Sequence, residues 1–440
     1  MSDNRAMKYA EILSKLIRVE TISSRESNDI TKFLGFHEVL RETYPRLFAA
    51  AEVENFGGTL MLKWKGTQPD LKPVLLMNHF DVVEASGEWT HPAFSGEIAD
   101  GRVWGRGTLD TKGGLAMMLQ AAEELIEAGF TPRRDTYFVT SCTEEIGGPH
   151  ADALSLELQK KNMEFHMVLD EGGMILYDPI GGADGTFAMI GVGEKGYVDL
   201  KFIAKSNGGH ASAPGKNTPL VRLGKFMAEA EKAECFDVEM SDTVKEMLSR
   251  FAPTMSGIMK TACGNVNTFK PVLKKVMPMI SPAGAAMLRT TLAFTMSKGS
   301  DGANVIPQEA WVVGNMRFSH HQGKKSSVDA ITALAKKYDI ETVVIDDGIE
   351  SGITDFRGEA FALVDKAVTA VFPEYKAVPY IMNAATDSRY FGRICDSCLR
   401  FVPFKIDKQQ LDSVHGIDEN VDVATLAPAV DFYKYIIREA

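Results

Sequence analysis

Apolar and polar positions along the chain switch repeatedly between a helical and a strand period. Residues 5–18 place Met7, Ile12, Leu13, Leu16 and Ile17 on one helical face, and a second helix is expected from Asp29 to Glu42, ending before Pro45. Short strand-type runs follow at Thr59–Lys63, Val74–Met77, Tyr137–Thr140 and Met167–Leu169. The clearest helix lies among them. Leu115, Met118, Leu119, Ala122, Leu125 and Ile126 recur at three- and four-residue spacing, and Gly129 supplies the stop.

The character changes near Gly196. Tyr197–Ala204 alternates like a strand with one exposed face, a helix is expected over Leu220–Ala233, and Trp311–Phe318 reads as another strand. Between them, Phe251 to Met296 is rich in Met, Ala and Pro with weak periodicity. That stretch suits either packed core and dimer interface or an apolar wall for an acyl or side-chain group. From His321 the first pattern resumes, with helices near 327–338, 359–371 and 423–438. The expectation is an α/β protein in which residues 1–195 plus 321–440 form one domain and 196–320 an insert.

Composition narrows the class. The 440 residues are 45% hydrophobic and 24% charged, enough for a substantial core, which excludes disordered and low-complexity classes. A net charge of −11 argues against a nucleic-acid partner. The N-terminal residues lack the apolar segment of a signal peptide, and the longest apolar stretch, Val276 to Leu288, is too short to span a bilayer. A soluble cytoplasmic protein without membrane contact is expected. Five cysteines do not make a disulfide framework, and the Cys395-Asp-Ser-Cys398 pair reads as reduced thiols near a strand. Gly191-Val-Gly193-Glu-Lys-Gly196 matches a dinucleotide-binding pattern, but a strand rather than a helix follows it, so that reading is rejected in favour of a hairpin or hinge.

Four polar clusters carry candidate chemistry. Val74–Met77 leads into Asn78-His79-Phe80-Asp81, Tyr137–Thr140 into Ser141-Cys-Thr-Glu144-Glu145, and Met167–Leu169 into Asp170-Glu171. Asp110 lies in a glycine-rich loop entering the clear helix. Open α/β sheets bind ligands beyond the carboxyl ends of their strands, so all four clusters can meet at one edge. An imidazole with several carboxylates suits zinc or a related divalent ion, and a pair of ions needs a bridging carboxylate, a role that fits Asp110. His79 and Asp81, two apart on a strand, face the same side, so Asp81 can fix the imidazole. Adjacent Glu144 and Glu145 point differently, leaving one to ligate and the other to act as base. Singly, each residue has an ordinary structural reading as a turn, a cap or a solvated pair. Their repeated placement after apolar strands does not.

These stretches, together with Gly105-Arg-Gly-Thr-Leu-Asp110-Thr-Lys-Gly and His415-Gly-Ile-Asp-Glu419, resemble the co-catalytic di-zinc metallopeptidases of the glutamate carboxypeptidase, aminoacylase and succinyl-diaminopimelate desuccinylase family. Ala385-Thr-Asp-Ser-Arg389-Tyr and Glu194-Lys-Gly look most like its carboxypeptidase S branch, which also contains N-acyl-amino-acid hydrolases. The resemblance implies a mixed sheet flanked by helices, with an inserted α+β lid that dimerises. It places His79 and Asp170 on one metal ion, Glu145 and His415 on the other, and Asp110 between them, the ions being Zn2+ with Co2+ or Mn2+ as substitutes. Glu144 is implied as general base and Asp81 as the clamp on His79. His210, in Gly209-His210-Ala-Ser-Ala-Pro, would stabilise the oxyanion in a partner subunit's site, and Asn304 and Arg317 would hold the substrate carboxylate. Asn78, Glu84 and Ala211 depart from the family's usual Gly, Pro and Ser without removing a ligand. The implied activity is hydrolysis of the amide bond to a C-terminal amino acid with a free carboxylate, in a small peptide. The alternative is N-acyl-amino-acid deacylation. A catalytically idle scaffold and a two-metal phosphohydrolase fit less well, because the ligand set is intact and carboxylates outnumber basic residues around it.

Overall fold

The computed structural model describes residues 2–440 apart from Asn28, Ala233, Glu234 and Ser281. Its larger sheet has ten strands. At its centre Val74–His79 runs parallel to both Thr136–Ser141 and Met167–Asp170, with His79 opposite Ser141 and Leu76 opposite Leu169. Every residue of these three strands is buried. That explains why they read as continuous apolar runs: helices cover both faces of a mostly parallel sheet. Their shared direction sends the polar residues at their carboxyl ends to one edge.

The helix Lys112–Glu127 packs against the sheet together with Ser2–Ile17 and Val423–Glu439. Its first turn comes very close to the strands. A Cβ on Gly114 would stand 2.4 Å from Asn78 Oδ1 on the strand Val74–His79, so only glycine allows this approach. The glycine stop is present as Gly129, with φ 73°.

A second, four-stranded sheet has the order Thr291–Lys298, Glu309–Phe318, Gly196–Lys205, Glu341–Asp346. Its last strand and the helix Gly323–Lys336 carry this domain past residue 320, where the sequence pattern put its end. The strand Glu341–Asp346 is at most half-buried throughout, so it shows no apolar alternation to read. The segment of weak periodicity, Phe251 to Met296, holds the helices Gly257–Gly264 and Val266–Ile280 and follows directly on the helix Asp242–Phe251. Val244, Met247, Phe251 and Leu273 pack on Phe187, Met189 and Val378 of the large sheet, not in the core of the small one. Pro271 and Pro278 lie inside Val266–Ile280, which disguises its period. The expected helix over Leu220–Ala233 is seen as Pro219–Ala230; Ala233 itself lies outside the described residues, as does Ser281 in the apolar stretch.

The rejected dinucleotide motif is a junction between two strands, Thr186–Glu194 and Gly196–Lys205, where the chain passes from the large sheet to the small one. All five cysteines are free. No helix of the described residues is long and apolar enough to cross a membrane.

Candidate metal centre

His79 closes its strand, 1% exposed, with Nε2 at 2.9 Å from Asp110 Oδ1. His415 Nε2 lies 3.0 Å from Asp110 Oδ2 and 3.1 Å from Glu145 Oε2. Asp110 therefore stands between two imidazoles contributed from opposite ends of the chain, one carboxylate oxygen toward each. His415 holds φ 59°, a left-handed conformation uncommon for a side-chain-bearing residue, at the turn that aims its ring inward.

Glu144 and Glu145 form a single 3-10 turn after the strand Thr136–Ser141. Asp81, fully buried, organises this turn: its Oδ1 accepts the Glu144 N–H and its Oδ2 the Glu145 N–H, both at 3.1 Å. His79 Nδ1 is 2.9 Å from the Asp81 carbonyl oxygen but 3.5 Å from its carboxylate. The carbonyl is the closer partner of the imidazole, and the carboxylate serves chiefly the glutamate turn.

The loop before Asp110 has a support of its own. Glu419, fully buried, accepts N–H bonds from Leu109 at 2.8 Å and Asp110 at 3.2 Å, and pairs with Arg106 Nη1 at 2.7 Å. In the sequence Glu419 stands out only as part of a motif. Its role was hidden because the contact spans 309 residues to Asp110.

Among the described residues, Asp170 makes no hydrogen bond or ion pair to this cluster. It is 2% exposed, its Oδ1 accepts the Glu171 N–H and its Oδ2 the Ser388 N–H, both at 2.8 Å. Burial pushes its carboxyl up to about 6. The neighbouring Glu171 lies within electrostatic reach of Asp110, His79 and Glu144 of the centre. Burial pushes its carboxyl well above the usual range, Asp110, Asp170 and Glu144 add to that, and His79 opposes it. Successive side chains along a strand point to opposite sides, so one member of an Asp-Glu pair at a strand end has to face away. That alternation was the signal available in the sequence. A Glu171→Gln variant is expected to bind fewer metal ions per chain than wild type, whereas Asp170→Asn keeps its metal and loses thermal stability; metal analysis beside a melting curve separates the two. The opposite pattern would make Asp170 the ligand.

The lid residues divide. His210 and Asn304 lie together on an exposed two-stranded ribbon, Gly209–His210 paired with Val305–Ile306, and Ala211 N–H donates to the Asn304 carbonyl at 2.9 Å. None of the hydrogen bonds or ion pairs of His210 among the described residues reaches the centre. Ser212 N–H donates to His210 Nδ1 at 3.1 Å, and the Ser212 hydroxyl lies 2.7 Å from the same nitrogen. Arg317, half-buried at the other end of the small sheet, lies within electrostatic reach of Glu194 and Arg389 of the large domain.

The donor set fits divalent cations. His79, Asp110 and Glu145 offer ligand atoms that all lie within 4.8 Å of one another. Glu145 Oε1 is buried without a hydrogen-bond partner, an acceptor waiting for a cation. Hydrogen bonds to Asp110 and Glu145 raise His415 to about 10, the mark of an acceptor-rich site that favours positive charge. Burial, together with Asp387, Glu145 and Asp110, pushes Glu144 well above the carboxylate range, with His79 opposing. Such crowding of carboxylates is what a pair of cations would relieve.

The sequence pattern of peptidase family M20/M25/M40 matches residues 75–439. The chain belongs to this family. It is a metallopeptidase by that membership, and its mixed α/β fold is the family's. It is 31% identical to "Probable carboxypeptidase S-like 2" of Dictyostelium discoideum over 98% of this chain and 85% of that relative. Identity to the human "N-fatty-acyl-amino acid synthase/hydrolase PM20D1" is 30%, over 99% of this chain and 88% of the relative. Among solved structures, the M20 family metallo-carboxypeptidase Sso-CP2 from Sulfolobus solfataricus superposes with a TM-score of 0.70 at 16% identity, covering 98% of both chains.

Proposed function

We propose that this family member hydrolyses the amide bond to a C-terminal amino acid whose carboxylate is free. The observation that carries the reading is the placement of Asp110 between His79 and His415, with Glu145 on the same cluster and Glu144 next to it on one turn. His79, Asp110, Glu145, Glu171 and His415 would hold two divalent ions, and zinc suits this mixed nitrogen and oxygen set. Metal ions held there would supply a lowered pKa for a water molecule and polarisation of the scissile carbonyl.

The protein's own groups account for the remaining steps. Glu144 takes the proton from the attacking water and delivers it to the leaving amine nitrogen. Asp81 keeps Glu144 in register by holding its backbone N–H. Arg317 takes the substrate carboxylate, a planar fork against two oxygens. His210, with Asn304 beside it, would reach the carbonyl oxygen from a second copy of the chain. Its exposed position on the far ribbon supports that reading and, with it, a homodimer through the small-sheet domain. Free cysteines accord with a cytoplasmic setting.

The second reading is removal of an N-acyl group from an amino acid, favoured by the likeness to the fatty-acyl-amino acid hydrolase. It uses the same chemistry with a different acyl group. Both readings are tested by assaying dipeptides and N-acyl amino acids on the purified protein before and after chelation. Activity is expected to vanish with chelator and return with zinc or cobalt, and the preferred acyl group separates the readings. Undiminished turnover in the chelated protein would sink both.

A further inference from the structure

The short helix Ser388–Phe391 brings a buried arginine to the junction of the two domains. Arg389 is 7% exposed. Its Nη2 donates to the Gly147 carbonyl oxygen at 3.0 Å and to the Tyr390 hydroxyl at 3.2 Å, while Nε is buried with no partner. Gly147 closes the turn of Glu144 and Glu145, so this guanidinium is tied to the turn that carries the base. Tyr390, Asp387 and Glu144 all lie within electrostatic reach of it. Asp387 is 1% exposed, and a Cβ on Gly148 would stand 2.0 Å from its Oδ1, which fixes the carboxylate against the same turn.

Across the junction, Arg317 lies 5.3 Å from the centroid of the Tyr197 ring and uses only Nε, donating to Asn315 Oδ1 at 3.1 Å. Among the described residues its two terminal nitrogens have no hydrogen-bond partner. The two arginines act on each other, and Tyr197 is within reach of Arg389. Arg389 keeps an unpartnered buried Nε and Arg317 two unused terminal nitrogens, so each guanidinium has donors to spare for one more acceptor. A carboxylate between them would supply both the acceptors and the compensating charge.

We propose that Arg389 is a substrate-binding residue that shares the substrate's free carboxylate with Arg317, one guanidinium from each domain. The proposal rests on the amide-hydrolase reading above and deepens it. It makes the carboxylate a bridge that draws the small-sheet domain onto the catalytic edge. Specificity for a free acid then comes from two places, so removing either arginine weakens it.

The test compares an N-acyl amino acid with its C-terminal carboxamide on metal-loaded wild type, Arg389→Met and Arg389→Lys. Arg389→Met is expected to raise KM for the free acid and lower its kcat/KM by roughly 10–100-fold, the worth of a charged hydrogen bond, with the carboxamide little changed. Arg389→Lys, which keeps the charge but loses the fork, should fall between. An equal loss on both substrates assigns Arg389 a structural role and overturns the proposal. So does an unaltered preference for the acid. Should Arg389→Met fail to fold, Arg389→Lys decides alone: a preference identical to wild type overturns the proposal. A wild type that cleaves the acid and the amide equally well overturns it, together with the free-carboxylate requirement, while amide hydrolysis itself stands; one that cleaves neither of these nor a dipeptide overturns both.

Discussion

A Glu144→Gln variant is expected to lose ~10²–10⁴ in kcat, the range of a positioned general base, while its metal content stays at the wild-type level. The separation of these two effects follows from the geometry. Glu144 and Glu145 share one turn, and both N–H groups are held by Asp81, so the amide side chain of the variant enters an unchanged backbone. Glu145, not Glu144, stands 3.1 Å from His415 Nε2. Stopped assays with the metal-loaded variant, beside elemental analysis of the same sample, check the claim. Loss of metal in step with activity would move Glu144 into the ligand set, and retained turnover would remove it from the mechanism.

The second large effect concerns a residue that touches neither metal nor substrate. Glu419→Ala is expected to destabilise the fold by about 3–5 kcal/mol, because it strands Arg106 as a buried charge without its partner. The pair is closed on both sides, 2% and 0% exposed, and the same carboxylate holds the N–H groups of Leu109 and Asp110. The loop carrying the bridging ligand loses its anchor along with the charge. Denaturant unfolding reads the stability, and metal titration should show weaker binding by the folded fraction. A variant as stable as wild type would mean that water replaces the carboxylate at no loss, which the complete burial of Glu419 argues against.

Much of the centre was legible because its signals are local. His79 and Asp81 are two apart at a strand end, Glu144 and Glu145 follow another buried strand, and Asp110 sits where glycines open a helix. Parallel neighbours then bring these ends to one edge. What stayed hidden depends on distance or direction. Glu171 differs from Asp170 only in which way the strand end turns it. Arg389 and Glu419 act through partners hundreds of residues away. The helices of 242–280 serve the large sheet although the chain reaches them through the small one, and no periodicity within them records which surface they cover. Likewise, the spacing of His210, Asn304 and Arg317 cannot tell that two sit on a distant ribbon and one beside the hinge.

The junction between Arg106–Asp110 and His415–Glu419 has a bearing on how the molecule matures. A reactive pocket assembled from such widely separated stretches exists only after the last of them has docked. A nascent or clipped molecule without the 415–419 segment lacks that pocket, and the onset of turnover during refolding is expected to follow the docking of this segment.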